Sequence, residues 1–340
     1  MVIVDEASKV DTARWAHLAQ LAADQGVRVL AVGDTGQLDA IQLSGLFAEI
    51  IQRTPTVELG TIRRHRDPTD PTRDHAWLGR YQAALHAGHG HDAVTILREH
   101  DAIRLHDDRP AAMAALVADW NTWRHDHPVD QTMLLVHGTN ADVDTANHLA
   151  QRTRLDAGEL GGESVTAPDR DYQLHAGDLA VVRGAPLYLP PAQGGGRIEN
   201  GTTLHITDVE EATDRLTVEW NHPGAGRRTA NLELAALRRP LPGGRRPAIR
   251  LAYAQHPNPA QGATVERTAT LGHPAADRKA VYVADTRAKH QHVIHLIRED
   301  LGFDGTDDDR LTRYADTISS GARREASLKY PRRDSPHLKR

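Results

Sequence analysis

The 340-residue sequence contains no cysteine, so it forms neither disulfides nor thiolate metal sites. It also lacks any apolar run near the roughly 18–20 residues needed to span a bilayer, and no signal peptide is expected before its first apolar segment. Aromatic residues are scarce at 4%, and lysine, phenylalanine and isoleucine are thin beside alanine, arginine, aspartate and histidine. That bias reflects base composition and carries no functional weight. The net charge of −5 gives no overall basic field to attract nucleic acid, although a basic groove can lie within an acidic whole. What remains is a globular composition, 39% hydrophobic and 26% charged, long enough for two or three domains. A cytoplasmic protein with no membrane association is expected.

Hydrophobic periodicity supplies the elements. Val2–Val4 is a short apolar strand, and Asp11 can cap a helix running to about Asp24, with Gly26 as its stop. Val27–Val32 is a second buried strand, followed by the loop GDTGQLDAI and a helix from Ser44 to about Arg53. This cadence predicts a parallel α/β sheet. Residues 54–73 are turn-rich and carry Arg63, Arg64 and Arg66, and helices are expected around 74–88 and 110–125. A new α/β unit begins at Met133–Val136, with Thr139 or Asn140 capping the helix that follows. Between 170 and 245 short alternating segments separated by Gly, Pro and Asn predict a small antiparallel barrel, with an exposed loop between Pro186 and Gly201. Apolar strands resume at Ile249–Tyr253, Thr264–Leu271, Val281–Ala284 and Val293–Leu296.

Three groups of residues could carry chemistry. Asp5 and Glu6 end the run VIVDEAS, the arrangement by which phosphate-transfer ATPases hold magnesium and orient water. Equally, an acidic pair at a strand end can simply cap a turn. The usual companion, a loop G-x-x-x-x-G-K-[ST] that cradles phosphates, does not occur in the sequence. Gln37 of GDTGQL lies at the carboxyl end of a neighbouring parallel strand, where α/β sheets bind ligands, though an ordinary β–α turn reads the same. Arg287, expected just beyond a strand, is either a cation projecting into a cleft or a surface arginine. The HAGHGHD segment, with His86, His89 and His91, reads as a solvated helix end more readily than as a metal site. Trp120 and Trp123 read as core. The pairs Arg227–Arg228, Arg238–Arg239 and Arg245–Arg246 suit a DNA phosphate contact or a solvated face equally well.

The ordered series VIVDEAS, GDTGQL, VELGTIRRHRD, TNADVDTANHLA, AQGATV and VYVADTRAK resembles the superfamily 1 DNA helicases, most of all RecD-like enzymes and the helicase half of conjugative relaxases of the TraA/TrwC type. The resemblance runs from residue 2 to about 298. It implies an α/β fold of two RecA-like, P-loop-NTPase-type lobes, the first incomplete, with an SH3-like barrel inserted in the second. The implied division is 1–105 for the partial first lobe and connecting helices, 106–169 and 246–300 for the second lobe, and 170–245 for the barrel. Residues 301–340 are expected to be a polar, basic, unpacked tail.

By matching motif, Asp5 holds the magnesium of Mg-ATP, Glu6 activates water, Gln37 senses the γ-phosphate, and Arg64 and Arg287 bind phosphate. Gln261 and Gly262 couple the nucleotide to DNA contact, and Thr139, Asn140, His256 and Asn258 face single-stranded DNA. The implied activity is 5′–3′ ATP-dependent DNA unwinding, with hydrolysis dependent on an upstream chain that carries the P-loop and relaxase domain. The alternatives are a non-catalytic remnant that binds single-stranded DNA and a truncated product with no independent role. Against the family pattern, Gly36 replaces an Arg, Asp39 a Pro, His256 a Thr, Asn258 a His, Pro259 a basic residue and Asp285 an apolar one. These departures suggest relaxed constraint on the coupling elements.

Overall fold

In the computed structural model the described residues are 1–38, 46–59, 76–193, 195–222, 224–238 and 247–320. Expectations resting on Asp39, Ser44, Arg63, Arg64, Arg66, Arg239, Arg245, Arg246 and the segment 321–340 lie outside them.

The chain opens on a small βαβ unit. Strand β1 (Val2–Val4) pairs in parallel with β2 (Val29–Ala31), Ile3 opposite Leu30, and α1 (Thr12–Asp24) connects them. The Asp11 carboxylate accepts the Arg14 N–H at 2.8 Å and so satisfies an orphan donor of the first turn. Trp15 of α1 packs with Ala7 and with Phe47 of α2 (Leu46–Arg53), the three buried core residues among those described in this unit. The rest of this unit is thinly covered. Ile3 is 60% exposed and Leu30 47%, although parallel strands are normally dry on both faces.

Helices α3 (Ala76–Ala87) and α4 (Gly90–Glu99) leave that unit and pack on a second sheet, where Tyr81, Leu85, Val94 and Leu97 share a core with Val281, Tyr282 and Ile294. The HAGHGHD segment is therefore a break between two helices as well as a helix end. Gly88 takes φ +79° there, and α4 restarts two residues later. Gly90 abuts the last helix of the chain so closely that a Cβ would stand 2.1 Å from the Ala315 carbonyl oxygen. Gly90→Ala is expected to cost about 1–3 kcal/mol by forcing the helices apart. Urea denaturation measures this, and an unchanged midpoint would contradict the contact.

The second sheet is five-stranded and wholly parallel. It gathers β3 (Ile103–His106), β4 (Thr132–Val136) and, after the barrel, further strands, with α5 (Arg109–Trp123) and α6 (Asn140–Asp156) in the connections. Trp120 and Trp123 of α5 are buried in the large core, as their spacing predicts. The segment expected as a barrel begins with the hairpin β5 (Gly161–Thr166) and β6 (Gln173–Ala176) and continues with β7 (Leu179–Arg183). A short hairpin, β8 (Leu187–Tyr188) and β9 (Arg197–Ile198), buries Leu187 and Ile198, so the expected exposed loop is partly anchored. Strands β10 (Thr203–Glu210), β11 (Arg215–His222), β12 (Gly226–Glu233) and, beyond α7 (Leu234–Leu237), β13 (Ala248–Leu251) complete an antiparallel sheet ordered β12-β11-β10-β7-β13.

The chain then returns to the second sheet through β14 (Ala254–Gln255), α8 (Pro257–Ala260), β15 (Val265–Leu271), α9 (Arg278–Asp285) and β16 (Ala288–Ile297), giving the order β14-β4-β15-β16-β3. Two expectations are corrected here. Val281–Ala284 is helical, because Asp277 caps the segment by accepting the Ala280 N–H at 2.8 Å; a four-residue apolar run cannot by itself distinguish strand from buried helix. The supposed tail from 301 contains α10 (Asp307–Ser319), opened by a Thr306–Asp309 capping box and burying Leu311, Tyr314, Ala315 and Ile318. Its acidic first turn disguised an amphipathic helix.

Candidate functional site

The cleft between the first unit and the second sheet brings together residues more than 220 positions apart. Glu6 follows β1 in a left-handed conformation, φ 50° and ψ 43°, which is uncommon for a side chain other than glycine, Asn or Asp. The Asp5 carboxylate accepts the Glu6 N–H at 2.9 Å and steadies that turn. Across the cleft, the Gln261 amide nitrogen donates to Glu6 Oε2 and to Gln37 Oε1, both at 2.9 Å. Gln261 is buried, and its own carbonyl oxygen finds no partner among the described residues. Gly262 takes φ +89°, so a side chain here would be strained, although an added Cβ would meet only Glu6 Oε1 at an ordinary 3.8 Å. Burial and Arg287 hold the Lys9 ammonium below its ordinary value, although Glu6 pulls the other way.

The loop carrying Gln37 is organised by Asp34, a residue that no sequence pattern singles out. Asp34 Oδ1 accepts the Gly36 N–H at 2.8 Å, and Oδ2 accepts from Gln37 Nε2 at 3.3 Å and from the Tyr282 hydroxyl of α9 at 3.1 Å. Burial opposes the charge on Asp34, but hydrogen bonds from His86, Gly36 and Gln37 prevail and hold its carboxyl below the usual range. Burial, reinforced by Asp34, pushes the Tyr282 phenol up to about 12.

Arg287 follows a helix, not a strand, and is almost fully buried. Its guanidinium donates to the Val283 carbonyl at 2.7 Å, the Thr286 hydroxyl at 2.8 Å and the Ala263 carbonyl at 3.3 Å, so it ties α9 to the Gln261–Gly262 loop. Asp285 beside it is accommodated. The Tyr81 hydroxyl donates to its Oδ2 at 2.5 Å, and His292 Nε2 lies 3.1 Å from its Oδ1. Pro259 is tolerated for a similar local reason: it occupies the first turn of α8, where backbone N–H groups have no helical acceptor.

Thr139, Asn140, His256 and Asn258 come together at the carboxyl ends of β4 and β14. His256 Nδ1 lies 3.0 Å from the Val136 carbonyl and Nε2 3.0 Å from Asn140 Oδ1; a neutral ring donates to one of the two. Thr139 caps α6 within a capping box completed by Asp142. Thr139, His256 and Asn258 line a cavity of about 620 Å³, together with Leu38, His137, His273, Asp277 and Lys279. Burial pushes the His137 imidazole down to about 4, so it is neutral at physiological pH. The barrel arginines are engaged locally: Arg227 pairs with Glu219, Arg228 stacks over Trp220, and Arg238 pairs with Asp214.

Asp5 is exposed, and no cluster of three His, Asp or Glu side chains suited to a metal occurs among the described residues. No described helix is long and apolar enough to cross a membrane.

A two-stranded parallel unit facing a five-stranded parallel sheet across a polar cleft, with an antiparallel β insertion in the second, defines a two-lobed α/β protein of the RecA-like, P-loop-NTPase class. Residues 1–108 match the family described as an AAA domain. The chain is 26% identical over 304 residues to the conjugal transfer protein TraA of Rhizobium radiobacter and 28% identical over 301 residues to a probable TraA of Sinorhizobium fredii. These matches cover 89% and 88% of this chain but 25% and 24% of those proteins, so the chain spans about a quarter of the length of these relatives. Among solved structures, it shares its fold with a Bacteroides Pif1 helicase captured with ADP-AlF3 and single-stranded DNA (TM-score 0.52, 16% identity, 92% of this chain and 72% of that one). It shares it likewise with the Pif1 helicase of Candida albicans (TM-score 0.50, 17% identity, 87% and 72%). Over most of its length the chain is thus similar to part of the conjugal transfer proteins TraA, and it shares its fold with Pif1 helicases.

Proposed function

We propose that this chain is the part of a 5′–3′ conjugative-relaxase-type DNA helicase that reads nucleotide state and grips single-stranded DNA, and that it hydrolyses ATP only when another segment supplies the P-loop. The observation that carries this reading is Gln261, donated by the second lobe to Glu6 and Gln37 of the first. In this reading Glu6 activates water, Asp5 anchors Mg-ATP, Gln37 and Gln261 register the γ-phosphate, and Arg64 neutralises its charge; Arg287, held under α9 in this structure, reaches the phosphate only if nucleotide binding frees its guanidinium. Thr139, Asn140, His256 and Asn258 receive the DNA backbone at the strand ends beside the amino terminus of α6. The exposed faces of Ile3 and Leu30 suit the strand and helix that accompany a P-loop.

The second reading, a non-catalytic DNA-binding remnant, is favoured by the contrast, among the described residues, between the large second-lobe core and the small core of the first. Both readings require DNA at the second lobe. Fluorescence anisotropy with labelled single-stranded DNA is expected to show affinity that falls steeply with salt. The double variant His256→Ala, Asn258→Ala should weaken it about tenfold and leave stability within about 1 kcal/mol. Salt-independent binding, or none, would remove both readings.

A further inference from the structure

Asp34 lies where the two lobes meet, and groups from α3 and α9 converge on it. Tyr282 of α9 donates to one carboxylate oxygen at 3.1 Å, while His86 Nε2 of α3 stands 3.4 Å from the other. Both helices belong to the second-lobe core, so both side chains reach over to the first-lobe loop. The imidazole also stands 5.6 Å from the Tyr282 ring. It rests directly on Gly36, where an added Cβ would lie 2.5 Å from His86 Cδ2. Residue 36 thus has no side chain at the place the imidazole fills, which is an observation independent of any charge.

We propose that Asp34, His86 and Tyr282 form an interlobe latch whose His86 limb engages on protonation, so that the lobes close more firmly in mildly acidic than in alkaline solution. The groups that face His86 agree with this. The hydrogen bond to Asp34 raises its pKa against the opposing burial, with further help from the charges of Asp34 and Glu58, while Arg278 opposes; the Tyr282 phenol is neutral throughout. A histidine with a raised pKa in the closed form strengthens closure fully below its open-form value. That contribution is lost as pH rises through the closed-form value. His86 is 44% exposed and Asp34 29%, so solvent keeps the effect modest.

This inference concerns lobe closure and holds whether or not the second lobe binds DNA. Because the chain has no cysteine, Ala19→Cys on α1 and Ala118→Cys on α5 provide two unique spin labels. Pulsed electron-paramagnetic-resonance distances are compared at about pH 5.5 and about pH 8.5, on either side of an ordinary imidazole pKa. The ratio of closed to open distances should fall about threefold with rising pH, the scale of one partly exposed ion pair. His86→Gln should abolish the pH response, His86→Arg should hold the closed distance at both pH values, and Asp34→Asn should loosen both. Identical distance distributions at the two pH values, or a full response retained in His86→Gln, would overturn the latch.

Discussion

Asp178→Ala is expected to destabilise the second lobe by about 3–5 kcal/mol, the range for stripping a buried charged acceptor from its donors. Asp178 is fully buried where the barrel meets α6. It accepts from the Tyr253 hydroxyl at 2.5 Å, from Gln151 Nε2 at 2.7 Å and from the His175 N–H at 2.8 Å. Tyr253 also receives Arg154 at 2.9 Å, and Arg154 continues to Glu159 and Arg124. The network fixes the barrel on α6 three residues before His256, so its loss should disorder the proposed DNA-facing strand ends as well as lower stability. Urea unfolding of Asp178→Ala beside the exposed-site control Asp5→Ala, expected within about 0.5 kcal/mol of wild type, measures this. Equal midpoints for the two variants would show that the network does not hold the barrel.

Glu6→Gln carries the second large effect. In a preparation supplied with a strand, P-loop and helix from a separate chain, ATP hydrolysis should fall about 10²–10⁴-fold, the usual contribution of a general base. Gln keeps the shape of the side chain and its hydrogen bonding to Gln261 but removes the carboxylate that would polarise water. Nucleotide affinity should change little, because Asp5 and the phosphate-binding groups remain. Single-turnover hydrolysis with a parallel nucleotide-binding titration separates the two. A loss of binding equal to the loss of rate would assign Glu6 a structural role in the Gln261 contact.

Much of this architecture was legible because its signals are local. Val2–Val4, the Asp11 cap and the Thr139 cap follow from apolar runs and capping chemistry within a few residues. Trp120 and Trp123 gave the core face of α5 in the same way. The failures are also local. Val281–Ala284 is too short for period to separate strand from helix, and the acidic start of α10 hid Leu311, Tyr314 and Ile318. The site was legible only as separate motifs. That Gln261 reaches Glu6 and Gln37 depends on lobe packing across more than 220 residues, which no local pattern encodes. Asp34 and Tyr282 escaped notice, and His86 read as a solvated helix end, for the same reason: each looks like turn, core or helix end until the lobes are brought together. Asp285 and Pro259, which as substitutions suggested relaxed constraint, prove to be partnered or harmless once Tyr81, His292 and the first turn of α8 are in view.

The most direct test of the account is ATP hydrolysis by the 340-residue chain with single-stranded DNA, measured alone and after addition of a separate strand–P-loop–helix polypeptide. The account predicts no DNA-stimulated hydrolysis by the chain alone, and hydrolysis that appears on addition and disappears again in Glu6→Gln. Helicase-like turnover by the chain alone, abolished by Asp5→Ala, would contradict it.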